Sequence, residues 1–216
     1  AQYNAGLSAL ANVDEPTLIV PCGAINLSAT DYHNFSGGAL AQAQRLRDRF
    51  CILDVRNDAA TGTSSQRVAA DVKAFRDNIG SLNLSYGAAY YPNVATGLAW
   101  EYSDDAVLYN GAPLSDPSNK PAYAQLTSWL RGLRVTLPPR AGVAGVYASV
   151  DRDRGVWKAP ANVSLSYAQR PTLAIDDAEQ QDLNMPDGQS PVNAIRFFSG
   201  KGTLVWGART LDYKAA

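Results

Sequence analysis

Between Ser64 and Gly80 the apolar residues Val68, Val72, Phe75 and Ile79 recur at i, i+4, i+7 and i+11, the spacing of one helix face. A stripe that narrow has to lie against something apolar, and the chain supplies it on both sides. Cys51 to Val55 (CILDV) precedes the stripe and Leu82 to Tyr91 (LNLSYGAAYY) follows it, each the length of a buried strand. Ser64-Ser65 offers a cap for the helix and Gly80 a stop. Upstream, Leu18 to Cys22 (LIVPC) is another short apolar run, closed by Pro21. From Gly38 to Phe50 a second helical pattern places Leu40, Ala43, Arg47 and Phe50 on one face, with Leu46 beside them. Strands alternating with helices predict an α/β fold: a βαβαβ core with a largely parallel or mixed sheet, flanked by helices and joined by right-handed crossovers.

Beyond Tyr91 the pattern loosens. Asn93 to Lys120 is rich in Gly, Pro, Asn, Ser and Asp and reads as an excursion with one hairpin near Val107 to Tyr109. Pro121 suits the first turn of a helix whose apolar face is Tyr123, Leu126, Leu130 and Leu133. Ala141 to Ser149 can be helical only if closely packed, because Gly142 and Gly145 each weaken it by roughly 1 kcal/mol relative to Ala. Two glycines three apart also let another backbone come near. Short strands are expected at Asn162 to Leu165 and at Thr172 to Ile175, then a short helix capped by Asp176 or Asp177. A hairpin of Ala194 to Phe198 with Leu204 to Trp206, turning at Gly200-Lys201-Gly202, closes the pattern. Residues 1–137 read as the core with its excursion near 93–120, and 138–216 as a segment packing on that core.

The chain has 216 residues, 46% hydrophobic and 18% charged, with a formal net charge of −1. That balance gives no long-range attraction for nucleic acid, and no apolar run reaches the roughly 20 residues of a membrane span. The chain starts without Met and reads as a piece of a longer protein. Cys22 and Cys51 form no CxxC or metal-spaced set. Each falls in a predicted buried strand, so reduced, inert thiols are expected; a bond between them needs neighbouring strands.

No catalytic, metal or cofactor set emerges. His33 is the only histidine and reads as a surface side chain. Ser199-Gly200-Lys201-Gly202-Thr203 lacks the first glycine of a phosphate loop, since Ile195 stands there. Asp54 and Asp58 end a predicted strand, where α/β folds often place active-site carboxylates. Asp54 is a candidate general base or Mg²⁺ ligand of a hydrolase-like or ligand-binding domain, and the competing reading has both aspartates capping the turn before Ala59 to Ser65.

Pro138 to Leu165, PPRAGVAGVYASVDRDRGVWKAPANVSL, is dense in residues that fix backbone shape. Asp151-Arg152-Asp153-Arg154 alternates sign and suits either a solvated loop or bidentate pairing with a partner surface. Trp157 and Lys158 beside it favour contact. The candidate residues for shaping or lining an interface are Arg152, Arg154, Trp157, Lys158, Pro160, Asn162, Trp206 and Arg209. Trp157 and Trp206 are equally candidates for the core.

This segment resembles the PPS-G-AG-YA-D-RG-WKAPAN signature of the contractile tail sheath proteins of phages and phage-like injection particles. IDDAEQQDLN, VNAIRFF and GTLVWGARTLD are similar to the blocks that follow it in that family. Tyr90-Tyr91-Pro92 resembles the family's YYPW-type strand end, with Asn93 in place of the usual large apolar residue. The resemblance runs from Leu18 to Asp212 and is specific from Pro138 onward. It implies a structural subunit without enzymatic activity or cofactor. Such subunits stack as rings around an inner tube protein, between baseplate and terminator proteins, and contract to drive the tube through a target envelope. It further implies assembly in the bacterial cytoplasm, a place in a virion tail or released tail-like particle (a tailocin), and no nucleic-acid or direct membrane contact. The terminal arms through which family members exchange strands are not recognisable here. The blocks are closer in wording to sheaths of extracellular injection particles than to type VI secretion sheaths.

Overall fold

Strand β2 (Phe50–Asp54) is apolar from Phe50 to Leu53 because both of its faces are covered. Cys51 and Leu53 point into one core and Ile52 into the other, as the two-residue period of a strand requires. The computed structural model describes residues 2–184 and 188–214. Around β2 a six-stranded sheet runs in the order β1-β2-β3-β10-β11-β8, with β1 (Leu18–Ile19), β3 (Gly87–Tyr91), β8 (Val163–Ser164), β10 (Asn193–Phe198) and β11 (Gly202–Val205). β1, β2, β3 and β10 are mutually parallel, and at one edge β11 pairs antiparallel with β10 and β8 pairs antiparallel with β11. The fold is α/β with a mixed sheet, and the C-terminal hairpin turns through Gly200 and Gly202, both at positive φ.

Helices α2 (Ala29–Leu46) and α3 (Ser64–Ile79) cover one face. Val68, Val72, Phe75 and Ile79 meet Leu40, Ala43, Leu53 and Tyr91 in that core. The cap of α3 is Thr63 rather than Ser64, in a reciprocal capping box with Gln66. α2 starts nine residues before the pattern that announced it, since Ser28 caps it at Asp31, and Phe50 belongs to β2. A Cβ on Gly87 would run into Leu40, so the glycine sets how closely α2 approaches β3. Helix α1 (Gln2–Leu10) is tied down by buried Arg49, which donates to Leu10 O (2.8 Å) and Val13 O (2.9 Å).

Helix α5 (Arg140–Arg154) covers the other face, laying Val143, Val146 and Val150 on Ile52, Tyr90, Ile195 and Val205. Its glycines do not meet another backbone: a Cβ on Gly142 would approach the Leu165 side chain at 3.1 Å, and one on Gly145 would meet nothing within 4 Å. Both line an open groove instead.

The excursion is more ordered than its composition suggests. β4 (Val94–Ala99) sits between β7 (Arg134–Leu137) and β9 (Ala168–Pro171) in a three-stranded antiparallel sheet. Its partners lie far along the chain, so local composition does not announce it. β5 (Leu108–Tyr109) and β6 (Ala112–Pro113) form the expected small hairpin. Helix α4 (Lys120–Gly132) buries only Thr127; Leu126 and Leu130 are half-covered and Tyr123 and Trp129 exposed. The strand expected at Thr172 to Ile175 is instead β9, ending at Pro171. Leu173 and Ile175 are apolar because they plug the α2–α3 core from an irregular segment. Helix α6 (Asp177–Asn184) is capped by Asp176, which exchanges hydrogen bonds of 2.8 Å with Glu179.

Candidate intersubunit surface

The signature segment is anchored at the amino end of α5. Arg140 is 2% exposed and Asp54, at the end of β2, 0%. The Arg140 backbone N–H donates to Asp54 Oδ1 at 2.9 Å and its Nε–H to Asp54 Oδ2. Nη1 donates to Pro21 O at 2.7 Å, which joins β1 to the same post. The Tyr32 ring lies 5.7 Å from the guanidinium carbon, and its hydroxyl donates to Asp54 O at 2.6 Å. Burial pushes Asp54 up to about 6 despite Arg140, and burial lifts the Tyr32 phenol to about 12.

With both carboxylate oxygens engaged and no solvent access, Asp54 cannot meet a substrate, which removes the basis of the hydrolase-like reading. Nor does Asp54 cap the turn after β2. Asp71 on α3 does so, accepting from the Asp58 and Ala59 amides at 3.0 and 2.8 Å. No group of three His, Cys, Asp or Glu side chains among the described residues could hold a metal. His33 is half-buried against Tyr32 and Phe75 rather than on the surface, and burial lowers its pKa. Cys51 is buried and held up to about 12; Cys22 sits exposed in the turn after Pro21, not in a buried strand, and both are free thiols.

From that post α5 carries the chain to its exposed end. Tyr147 stacks on Phe50 at the start of β2, so the last turn of α5 lies toward the amino ends of the parallel strands. Arg152 pairs with its neighbour Asp153 at 2.7 Å on the surface, whereas exposed Arg154 has no ion pair among the described residues. Gly155 ends the helix at φ 89°, and a Cβ there would strike the Trp157 ring. Trp157 is 86% exposed and Val156 81%. Trp157 is thus no part of the core. Lys158 folds back, its Nζ donating to Ala159 O at 2.6 Å. Pro160 leads to Asn162, exposed at φ 59°, whose amide donates to Val205 O at 2.7 Å.

That bond starts the junction between the two sequence blocks. β8 pairs with β11, Val163 opposite Val205, so segments some forty residues apart become neighbouring strands. Trp206 is half-buried against Phe198, with ring centroids 4.5 Å apart. The Arg209 backbone is clamped by Asn193, whose amide side chain accepts from Arg209 N and donates to Arg209 O, each at 2.8 Å; the Arg209 residue itself is exposed. Two residues on, Leu211 N donates to Gly87 O, and Leu211 enters the α2–α3 core. Arg152, Arg154 and Trp157 therefore follow α5 on one face of the sheet, while the chain through Arg209 crosses to the other. Lys158 and Trp206 are partly covered.

Beside this surface runs a groove of about 500 Å³, lined by Leu98, Leu137, Gly142, Gly145, Leu165 and Tyr167. Neither Arg140 nor this groove was singled out from the sequence. The one local signal for Arg140 is an arginine directly after Pro138-Pro139; its partner is 86 residues away.

Compared with solved structures, the chain matches one in the contracted sheath complex of the PVC extracellular contractile injection system, with a TM-score of 0.60 and 26% identity over 97% of its residues. This chain is similar to contractile sheath proteins. It also matches a chain of the anti-feeding prophage helical sheath in its contracted state, with a TM-score of 0.53 and 28% identity over 96% of its residues. A third match is a chain in the anti-feeding prophage baseplate, with a TM-score of 0.59 and 26% identity over 98%. A tail sheath protein of Burkholderia phage BcepMu is 34% identical over 76 residues, 34% of this chain and 16% of the phage protein. The sheath-like chain spans less than half of each structural relative, 43%, 44% and 43%. It matches no known family profile, and no described helix is long and apolar enough to cross a membrane.

Proposed function

We propose that this chain is the α/β portion of a contractile sheath subunit, a structural element without catalytic activity. The observation that carries the reading is the match over 97% of its residues to a chain of a contracted sheath complex. In this reading residues 1–137 and 138–216 act as one unit. Subunits polymerise as a helical stack around an inner tube protein, bounded by baseplate and terminator proteins. The sleeve assembles in the bacterial cytoplasm and works in a virion tail or released tail-like particle, without nucleic-acid or membrane insertion. Contraction replaces one set of subunit packings by another of lower free energy. Arg152, Arg154 and Trp157 shape the intersubunit contact from the end of α5; Lys158, Pro160 and Asn162 hold the loop that presents them, and Trp206 and Arg209 mark a second contact on the opposite face. The exposure of Trp157 and the missing partner of Arg154 support this assignment.

The test is negative-stain microscopy of the protein, extended to the length of its relatives and coexpressed with its tube protein. Hollow striated sleeves, some short and wide, are expected. Dispersed globules across salt and pH would overturn the reading. Arg154→Glu should weaken sleeve formation while leaving the monomer folded; normal sleeves from that variant would remove Arg154 from the contact.

A further inference from the structure

The stretch from the end of β4 to α4 has aromatic side chains that its own packing does not use. Trp100 is 56% exposed and Tyr123 37%. With Tyr102 they line a cleft of about 510 Å³ whose charged walls are Glu101, Asp104 and Arg131. The cleft is built rather than incidental. Asp104 is held from two sides: its carbonyl accepts from Leu114 N at 3.0 Å, and its Oδ2 accepts from the Tyr123 hydroxyl at 2.6 Å. That bond also fixes the Tyr123 ring. The Thr127 hydroxyl on the floor is committed to the carbonyls of Tyr123 and Ala124. Among the described residues no two of the three rings stack, and no internal cation sits over any of them.

Two carboxylates against one guanidinium leave the lining with a net charge of −1. Aromatic faces carry the negative end of the ring quadrupole, so ring and carboxylate act with the same sign. An anion is opposed by both. A small inorganic cation keeps its hydration shell and gains little from a ring face, whereas an alkylammonium is weakly hydrated and large enough to touch several rings at once. We propose that this cleft binds an organic ammonium group, with Trp100 and Tyr123 supplying ring faces and Glu101 and Asp104 the countercharge. Lipid headgroups and methylated lysine side chains both carry that chemistry. The inference is independent of the sheath reading, since it rests only on the excursion.

The chain has four tryptophans, so its indole N–H signals are few enough to follow singly by NMR. Titration with tetramethylammonium chloride, against sodium chloride of equal ionic strength, should move the Trp100 indole saturably in the millimolar range while Trp157 and Trp206 stay put. Asp104→Asn keeps an acceptor for Tyr123 but removes the charge, and should weaken binding about fivefold. Arg131→Ala should tighten it, because the arginine opposes the ligand. Phosphatidylcholine vesicles in a sedimentation arm and free trimethyllysine in a second NMR arm separate the two sources. A Trp100 shift no larger than in sodium chloride, or weaker binding in Arg131→Ala, would overturn the proposal.

Discussion

Arg140 gives its backbone N–H and its Nε–H to the two oxygens of Asp54, so one carboxylate caps helix α5 and neutralises the arginine that begins it. The helix N-terminus and the guanidinium present positive charge to the same buried acid. This joint sets where α5 begins on the sheet, and through α5 it sets where Arg152, Arg154 and Trp157 emerge.

Breaking the pair from one side should be severe. Asp54→Leu or Arg140→Met alone is expected to cost about 3–5 kcal/mol, because each leaves its partner buried without countercharge. The joint apolar replacement, Asp54→Leu with Arg140→Met, should recover most of that loss. Urea denaturation of the four chains measures the coupling; strictly additive losses would show that the two residues do not act together.

Asp54 also predicts a pH dependence. Its ordinary value is 3.8 and burial raises it to about 6. The folded state therefore holds a proton that the unfolded chain releases between about pH 4 and pH 6. Its contribution to stability is fully present below the lower value and is lost as pH rises through the upper one. Asp116, Asp153 and Asp212 are held below their usual range by hydrogen bonds and act in the opposite direction. The informative quantity is wild type minus Asp54→Asn in urea midpoint stability, which should be larger at about pH 4.5 than at about pH 7. An unchanged difference would mean that Asp54 is ionised throughout.

Gly145 should be replaceable in the fold. It lies in a helix with open space where a Cβ would stand. Gly145→Ala is expected to stabilise the isolated chain by about 1 kcal/mol, whereas Gly87→Ala should destabilise it through the collision with Leu40. Thermal unfolding of the two variants checks both signs. If Gly145→Ala gains stability yet impairs sleeves, the groove beside α5 serves assembly.

Trp157 and Val156 are exposed enough that Trp157→Ala should change the unfolding free energy of the isolated chain by less than about 0.5 kcal/mol. The same substitution in the extended protein is expected to reduce sleeve formation. A large loss of stability in the isolated chain would return Trp157 to a packing role.

The sequence was most legible where periodicity is strongest. The α3 stripe, the doubly covered β2 and the hairpin around Gly200 and Gly202 follow from the spacing of residues that touch within one element or its neighbour. The signature residues were legible as a group, and their exposure was not: Trp157 in a loop suits a core or a surface equally until the loop is placed. β4 was missed because its partners β7 and β9 lie far along the chain. Thr172 to Ile175 was misread because burial of Leu173 and Ile175 without strand pairing leaves the same alternation.

By itself the sequence determined the α/β class, the helix faces, the turns that need glycine and the resemblance to sheath proteins, because these depend on contacts close in the chain or on the order of whole blocks. The tertiary structure alone decided that Asp54 is a buried anchor rather than a reactive acid, that β8 and β11 join the two signature blocks, and that Trp157 faces solvent. Those outcomes depend on which distant residues meet. Burial and pairing across 86 residues, as between Asp54 and Arg140, leave no periodic trace in either segment.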